Sequence, residues 1–155
     1  NPTFKTSMQL GAGRLTRSHL KGDPFTAKSL KGLEEYIEDQ IEPLARSLAT
    51  FEKDVAAGTS KTFRTLAKLA QNLHPKLGAH LTLDALDQLV PEIQGLDLDK
   101  RRELPGVSME RAHQLVAGSM VARQLMRTLN LKEIRICPWA LREGIVLHRL
   151  DWIER

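Results

Sequence analysis

Val55-Ala56-Ala57-Gly58-Thr59-Ser60-Lys61-Thr62-Phe63-Arg64 runs from an apolar stretch, through a glycine-led and hydroxyl-rich turn, into a basic helix. Strand, Gly-Thr-Ser turn and helix start, in that order, are how a chain presents free backbone N–H groups to an anion. The helix should begin near Thr62 and carry Phe63, Leu66, Leu69, Ala70 and Leu73 inward. Its first N–H groups have no intrahelical acceptors, and its dipole favours negative charge there. Gly58 permits close backbone approach, the hydroxyls of Thr59, Ser60 and Thr62 can donate, and Lys61 and Arg64 add positive charge. The same residues also fit a Ser/Thr-capped helix after a buried strand, with nothing bound. They are not a Walker P-loop, whose first glycine and Gly-Lys pair are missing.

Working outward, Phe4, Thr6, Met8 and Leu10 alternate with Lys5, Ser7 and Gln9, which predicts a strand over residues 4–10. Gly11-Ala12-Gly13-Arg14-Leu15-Thr16-Arg17 should turn after it and present Arg14. Leu30, Leu33, Ile37, Ile41, Leu44 and Leu48 predict an amphipathic helix over 27–49, with Pro43 kinking or restarting it. Strands are expected near 54–57 and 133–137, and helices near 62–72 and 109–129. Thr82 opens a helix that Pro91 should keep short, and Gly118 allows close backbone approach on the helix after Ser108. Leu141, Ile145, Leu147, Leu150 and Ile153 predict a final helix. Alternation of this kind implies an α/β layer structure, a mostly parallel sheet covered by helices, in one domain.

The composition sets bounds. A chain of 155 residues with 41% hydrophobic and 27% charged residues has the makeup of one globular domain. No apolar run approaches the ~20 residues of a membrane span, so no membrane partner is expected. Cys137 is the lone cysteine, which excludes an internal disulfide and suits a reducing cytoplasm. The chain opens on Asn1-Pro2-Thr3, not Met, at what reads as a strand; we expect a piece of a longer protein. A net charge of +4 and a pI near 9.4 favour an anionic partner. Nucleic acid is not expected, because aromatic content is 5% and no basic tract is interleaved with aromatics. The five histidines stand far apart, at no metal-ligand spacing, and no nucleophile elbow or paired catalytic carboxylates occur. The reading is an anion-binding half-site without a catalytic or metal centre of its own.

Four segments in order carry a resemblance: Leu10-Gly11-Ala12-Gly13-Arg14-Leu15-Thr16; Gly58-Thr59-Ser60-Lys61-Thr62; Leu104-Pro105-Gly106-Val107 with Glu110-Arg111-Ala112; and Ala140-Leu141-Arg142-Glu143-Gly144. Together they resemble the exopolyphosphatase/guanosine pentaphosphate phosphohydrolase (Ppx/GppA) family. Ile136-Cys137-Pro138-Trp139 is similar to its actinobacterial branch. The resemblance implies a ribonuclease-H-like lobe of the kind found in actin, sugar kinases and chaperone ATPases, with a mixed sheet covered by helices. This chain would be the second of two lobes. The first lobe's phosphate loop, the catalytic Glu and a Gly-Gly-Gly-Ser hairpin would lie upstream. It also implies hydrolysis of a phosphoanhydride at the end of inorganic polyphosphate or in guanosine pentaphosphate, with Mg²⁺ in the intact enzyme and a homodimer as the assembly.

Gly58, Thr59, Ser60, Lys61 and Thr62 match the family's cleft loop, except that Lys61 stands where the common pattern has glycine. His113 stands where many members carry Asp. Arg64, Arg14 and Arg142 join the loop as phosphate-binding candidates, and Arg142 fits an internal pairing equally well. A phosphate-sensing or dimerisation module without turnover is the alternative reading.

Overall fold

The most thoroughly buried helix sits at the centre of the molecule. In the computed structural model, which describes residues 3–51, 55–77, 80–139, 146 and 149, α7 spans Leu115–Thr128. Leu115, Val116, Ala117, Gly118, Ser119, Met120, Ala122 and Met126 are all buried, so nearly every face of α7 is covered. Its neighbours are α1 (Ala12–His19), α2 (Ala27–Leu48), α3 (Lys61–Leu73) and α4 (Leu83–Gln94). Ala117, Gly118, Ser119 and Ala122 keep it slim enough to be surrounded.

A small sheet borders this bundle. Its strands are β1 (Ala57–Gly58), β2 (Leu81–Thr82) and β3 (Glu133–Ile136), in the order β1-β3-β2. β1 runs parallel to β3 and β2 antiparallel, with Gly58 opposite Ile136 and Leu81 opposite Ile134. The sheet is therefore mixed, not mostly parallel. The pattern-based expectation for 27–49 stands as α2, which buries Leu33, Ile37 and Ile41 and starts where the Ser29 N–H donates to Thr26 Oγ1. α2 runs through Pro43 without restarting, and α4 likewise contains Pro91.

Three expectations need correction. Residues 4–10 form no strand: Phe4, Lys5, Thr6 and Ser7 are exposed, and the segment lies beside Gln40, Pro43, Leu44 and Ser47 of α2. Alternation marks a chain able to pair, but no described strand has an edge beside it. The Gly11–Gly13 stretch is not a turn after a strand but the start of α1, with Gly11 at its N-cap. The helix expected over 109–129 is two, α6 (Met109–Ala112) and α7, separated at His113 and Gln114. At the break, Arg101 Nη1 lies 3.5 Å from the Ala112 carbonyl.

Arg101 belongs to α5 (Leu98–Glu103) and is almost fully buried. It pairs with Asp23, donates through Nε to the Asp97 carbonyl at 3.2 Å, and sits 4.7 Å over the Phe25 ring. The Leu98 N–H donates to the other Asp23 oxygen at 2.8 Å, so one carboxylate pins α5 to the loop before α2. Arg123 of α7 pairs with Glu34 at 3.0 Å; burial, ahead of the neighbouring Arg127 charge, pulls it below the usual arginine range.

Candidate functional site

Three helix N-termini meet at one place. A Cβ on Gly118 would stand 2.7 Å from Thr62 Cγ2 of α3 and 3.3 Å from Ala12 Cβ of α1. A Cβ on Gly13 would stand 2.9 Å from Oε1 of Gln114, the N-cap residue of α7. The first turns of α1, α3 and α7 are thus held in contact by two glycines. The Gly13 and Gly58–Thr62 segments lie on the same side of the molecule.

Each N-terminus carries orphan N–H donors and the positive end of a helix dipole. α1 and α7 have no side-chain cap. α3 has one: Ser60, in extended conformation, accepts the Phe63 N–H on its hydroxyl at 3.2 Å, and its carbonyl accepts the Arg64 N–H. The cap takes care of Phe63 and leaves the N–H groups of Lys61 and Thr62 without a protein acceptor among the described residues. A capped helix and an anion loop are therefore compatible readings of one turn.

The individual residues divide by role. Gly58 is buried in β1, and the space left by its missing side chain is filled by Ile134 Cγ2 and the Phe63 ring, both 3.0 Å from a Cβ position. A side chain at Gly58 would meet these neighbours, so packing requires glycine there. Thr59 is exposed, and Thr62 is half-buried with its methyl against Gly118. Lys61, the first residue of α3, is exposed, and Arg64 one turn on is half-buried. Arg14 is exposed on α1 and donates to the Gln9 side chain. Arg142 and the final helix around it lie outside the described residues, apart from Val146 and Arg149. Cys137 is half-buried, and its N–H donates to the Gly58 carbonyl at 3.0 Å. His113 is exposed.

Sequence reading missed Lys68 and Arg111, which share a groove with Lys61 and Arg64. The spacing 61, 64, 68 on one helix face was the available signal. Among the described residues no three His, Cys, Asp or Glu side chains gather as metal ligands. The mouth offers N–H donors, hydroxyls and cations, a donor set that suits anionic oxygen and does not fit Mg²⁺. No helix among the described residues is long and apolar enough to cross a membrane.

Comparison with known proteins identifies the family and the fold. The model of the Ppx/GppA phosphatase family matches residues 1–152. Exopolyphosphatase 1 of Mycobacterium tuberculosis is 41% identical over 155 residues, covering 97% of this chain and 45% of that protein. A guanosine-5'-triphosphate,3'-diphosphate pyrophosphatase of Vibrio cholerae is 23% identical over 141 residues, covering 91% of this chain and 28% of that protein. The chain thus spans less than half the length of these curated relatives. The crystal structure of an exopolyphosphatase from Cytophaga hutchinsonii superposes with a TM-score of 0.81 at 23% identity, over 96% of this chain and 50% of that one. An Aquifex aeolicus Ppx/GppA family member gives a TM-score of 0.77 at 24% identity, over 94% of this chain and 48% of that one. The fold is the α/β, actin-like one of these neighbours, and the chain belongs to the Ppx/GppA phosphatase family.

Proposed function

We propose that this chain is the second lobe of a two-lobed phosphoanhydride hydrolase, and that it holds the terminal phosphate of inorganic polyphosphate or of guanosine pentaphosphate. The observation that carries this reading is the meeting of the α1, α3 and α7 N-termini, two of them uncapped, at Gly118. Helix N-termini gathered in one place suit an anion, and a phosphate supplies several oxygens.

Catalysis of this class is positioning and charge neutralisation around an attacking water. The Lys61 and Thr62 N–H groups would orient phosphate oxygens, and the Lys61 ammonium would offset their charge. Because the helix ends are fixed by packing, these donors need no rearrangement when negative charge builds up. The general base, and the ligands of the Mg²⁺ that the resemblance implies, would come from the first lobe of the same polypeptide.

The test is phosphate release with Mg²⁺ by the longer parent protein and by this chain alone. Release from polyphosphate or guanosine pentaphosphate by the parent, with none by the chain, is the expected result. Turnover by the repurified chain would refute the half-site reading. Phosphate binding by a parent that never turns over would favour the sensing or dimerisation module.

A further inference from the structure

We infer that Trp139 is a specificity-determining residue of this mouth: its indole is the platform on which the base of a nucleoside polyphosphate stacks while the phosphates lie on the helix N-termini. This rests on the proposed function and adds to it the contact that distinguishes a nucleotide from bare polyphosphate.

The sheet sets where Trp139 stands. β1 and β3 run parallel, with Gly58 opposite Ile136, so both strands end on the same side. β1 continues into Thr59, Ser60 and Lys61, the turn that starts α3, and β3 continues into Cys137, Pro138 and Trp139. Ligands of open α/β sheets lie beyond the carboxyl ends of the strands, where these two segments emerge. The Cys137 N–H donates to the Gly58 carbonyl at 3.0 Å, which ties the second segment to the first. Two residues span at most about 7 Å, so the Trp139 backbone stays within that distance of Cys137 whatever the bend at Pro138. The indole reaches further by its own length.

Its freedom singles it out. The other aromatic rings among the described residues have neighbours: Phe4 faces Phe51, Tyr36 faces His19, and Phe25 lies under Arg101. Phe63 fills the space beside Gly58. Trp139 is 54% exposed, and among the described residues it makes no ring or cation contact. An indole offers a wide apolar face and a single N–H donor, so a bare phosphate chain gains little from it. A nucleotide base gains a stacking surface. The helix ends supply what the phosphates need, and the free indole beside them supplies what the base needs.

The experiment uses the longer parent, with Trp139→Ala and Trp139→Phe. Binding of guanosine pentaphosphate and of tripolyphosphate is measured at equilibrium without Mg²⁺, so that neither is consumed. Trp139→Ala should weaken guanosine pentaphosphate binding about five- to tenfold and leave tripolyphosphate binding unchanged. Trp139→Phe keeps a ring and should hold most of the nucleotide affinity. Guanosine pentaphosphate should also quench part of the parent's indole emission, and that part should be absent in Trp139→Phe. Unchanged nucleotide affinity in Trp139→Ala overturns the proposal. So does an equal loss on both ligands, which marks Trp139 as a structural or lobe-contact residue. Phosphate release with Mg²⁺ is assayed separately. A parent that releases none sinks the hydrolase reading, while the binding comparison still decides on Trp139. A parent that binds neither ligand sinks both.

Discussion

Replacing Gly118 by alanine tests the contact on which the mouth depends. The added Cβ would stand 2.7 Å from Thr62 Cγ2 and 3.3 Å from Ala12 Cβ. The first distance is about 1 Å inside an ordinary carbon–carbon contact. Thr62 is half-buried on a helix, where a β-branched side chain has little χ1 freedom, so the first turn of α3 must move away from α7. Overpacking of this kind costs about 1–3 kcal/mol. Alanine in place of glycine inside a helix returns about 0.8–1 kcal/mol. The expected net loss is therefore roughly 0–2 kcal/mol, the small difference of two opposed terms. A second substitution separates them. Thr62→Ser deletes the methyl that clashes and leaves the hydroxyl, so in that background Gly118→Ala should become neutral or stabilising. Urea unfolding of the two single variants and the double variant should give a coupling of about 1–2 kcal/mol, above the roughly 0.5 kcal/mol scatter of independent sites. Additive effects, with Gly118→Ala simply stabilising, would mean that the α3 and α7 ends do not touch there.

Two further outcomes follow from the ion pairs and caps. Asp23→Ala leaves the buried Arg101 guanidinium with only carbonyl partners, and because Asp23 is itself partly exposed the loss should be about 2–3 kcal/mol in chemical denaturation. Adding Arg101→Met to it should cost no more, and a larger loss in the double variant would show that Arg101 stabilises by other means. Asp97 caps α5, and the Lys100 backbone N–H, then the side chain and charge of Lys100, hold its carboxyl below the usual range. A depressed carboxyl pKa contributes stability that is full above about pH 4 and is lost as pH falls through the lowered value. Asp97→Asn keeps a capping acceptor but removes that acid-side slope, and unfolding midpoints measured down to acid pH should show the flattening. An unchanged slope would assign acid sensitivity to other carboxyls.

Much of the helical frame was legible because its signals are local. Leu33, Ile37 and Ile41 repeat at helical spacing and are the buried face of α2. Thr82, read as a helix opener, caps α4, and Ser60, one of the hydroxyls that fitted a Ser/Thr-capped helix, caps α3. What stayed hidden depends on partners far away in the chain. The alternation over residues 4–10 describes a strand correctly only if a strand lies beside it, and that pairing is no property of the segment itself. The Asp23–Arg101 clasp joins residues 78 positions apart, and the break between α6 and α7 falls where neither glycine nor proline gives notice. Arg111 was missed because the groove it shares with Lys68 forms only where the Gly106 turn and α6 come to face α3 in the fold.

The glycines of the candidate site act one step away from where the motif suggests. Gly58 makes room for Phe63 and Ile134, Gly13 for Gln114, and Gly118 for Thr62 and Ala12. In each case the missing Cβ admits a protein neighbour. Glycine therefore sets where the helix ends stand, and the helix ends supply the donors. The same logic covers Lys61, which stands where the resemblance implies glycine. Position 61 is the first residue of α3, with helical backbone that any L-residue adopts without strain, and its side chain turns into the basic groove. A glycine there would keep the same N–H and lose the cation. Lysine at 61 thus leaves the backbone N–H in place and adds a cation beside it. A change that disturbed these helix ends would instead be expected at Gly58 or Gly118, where the space is already taken.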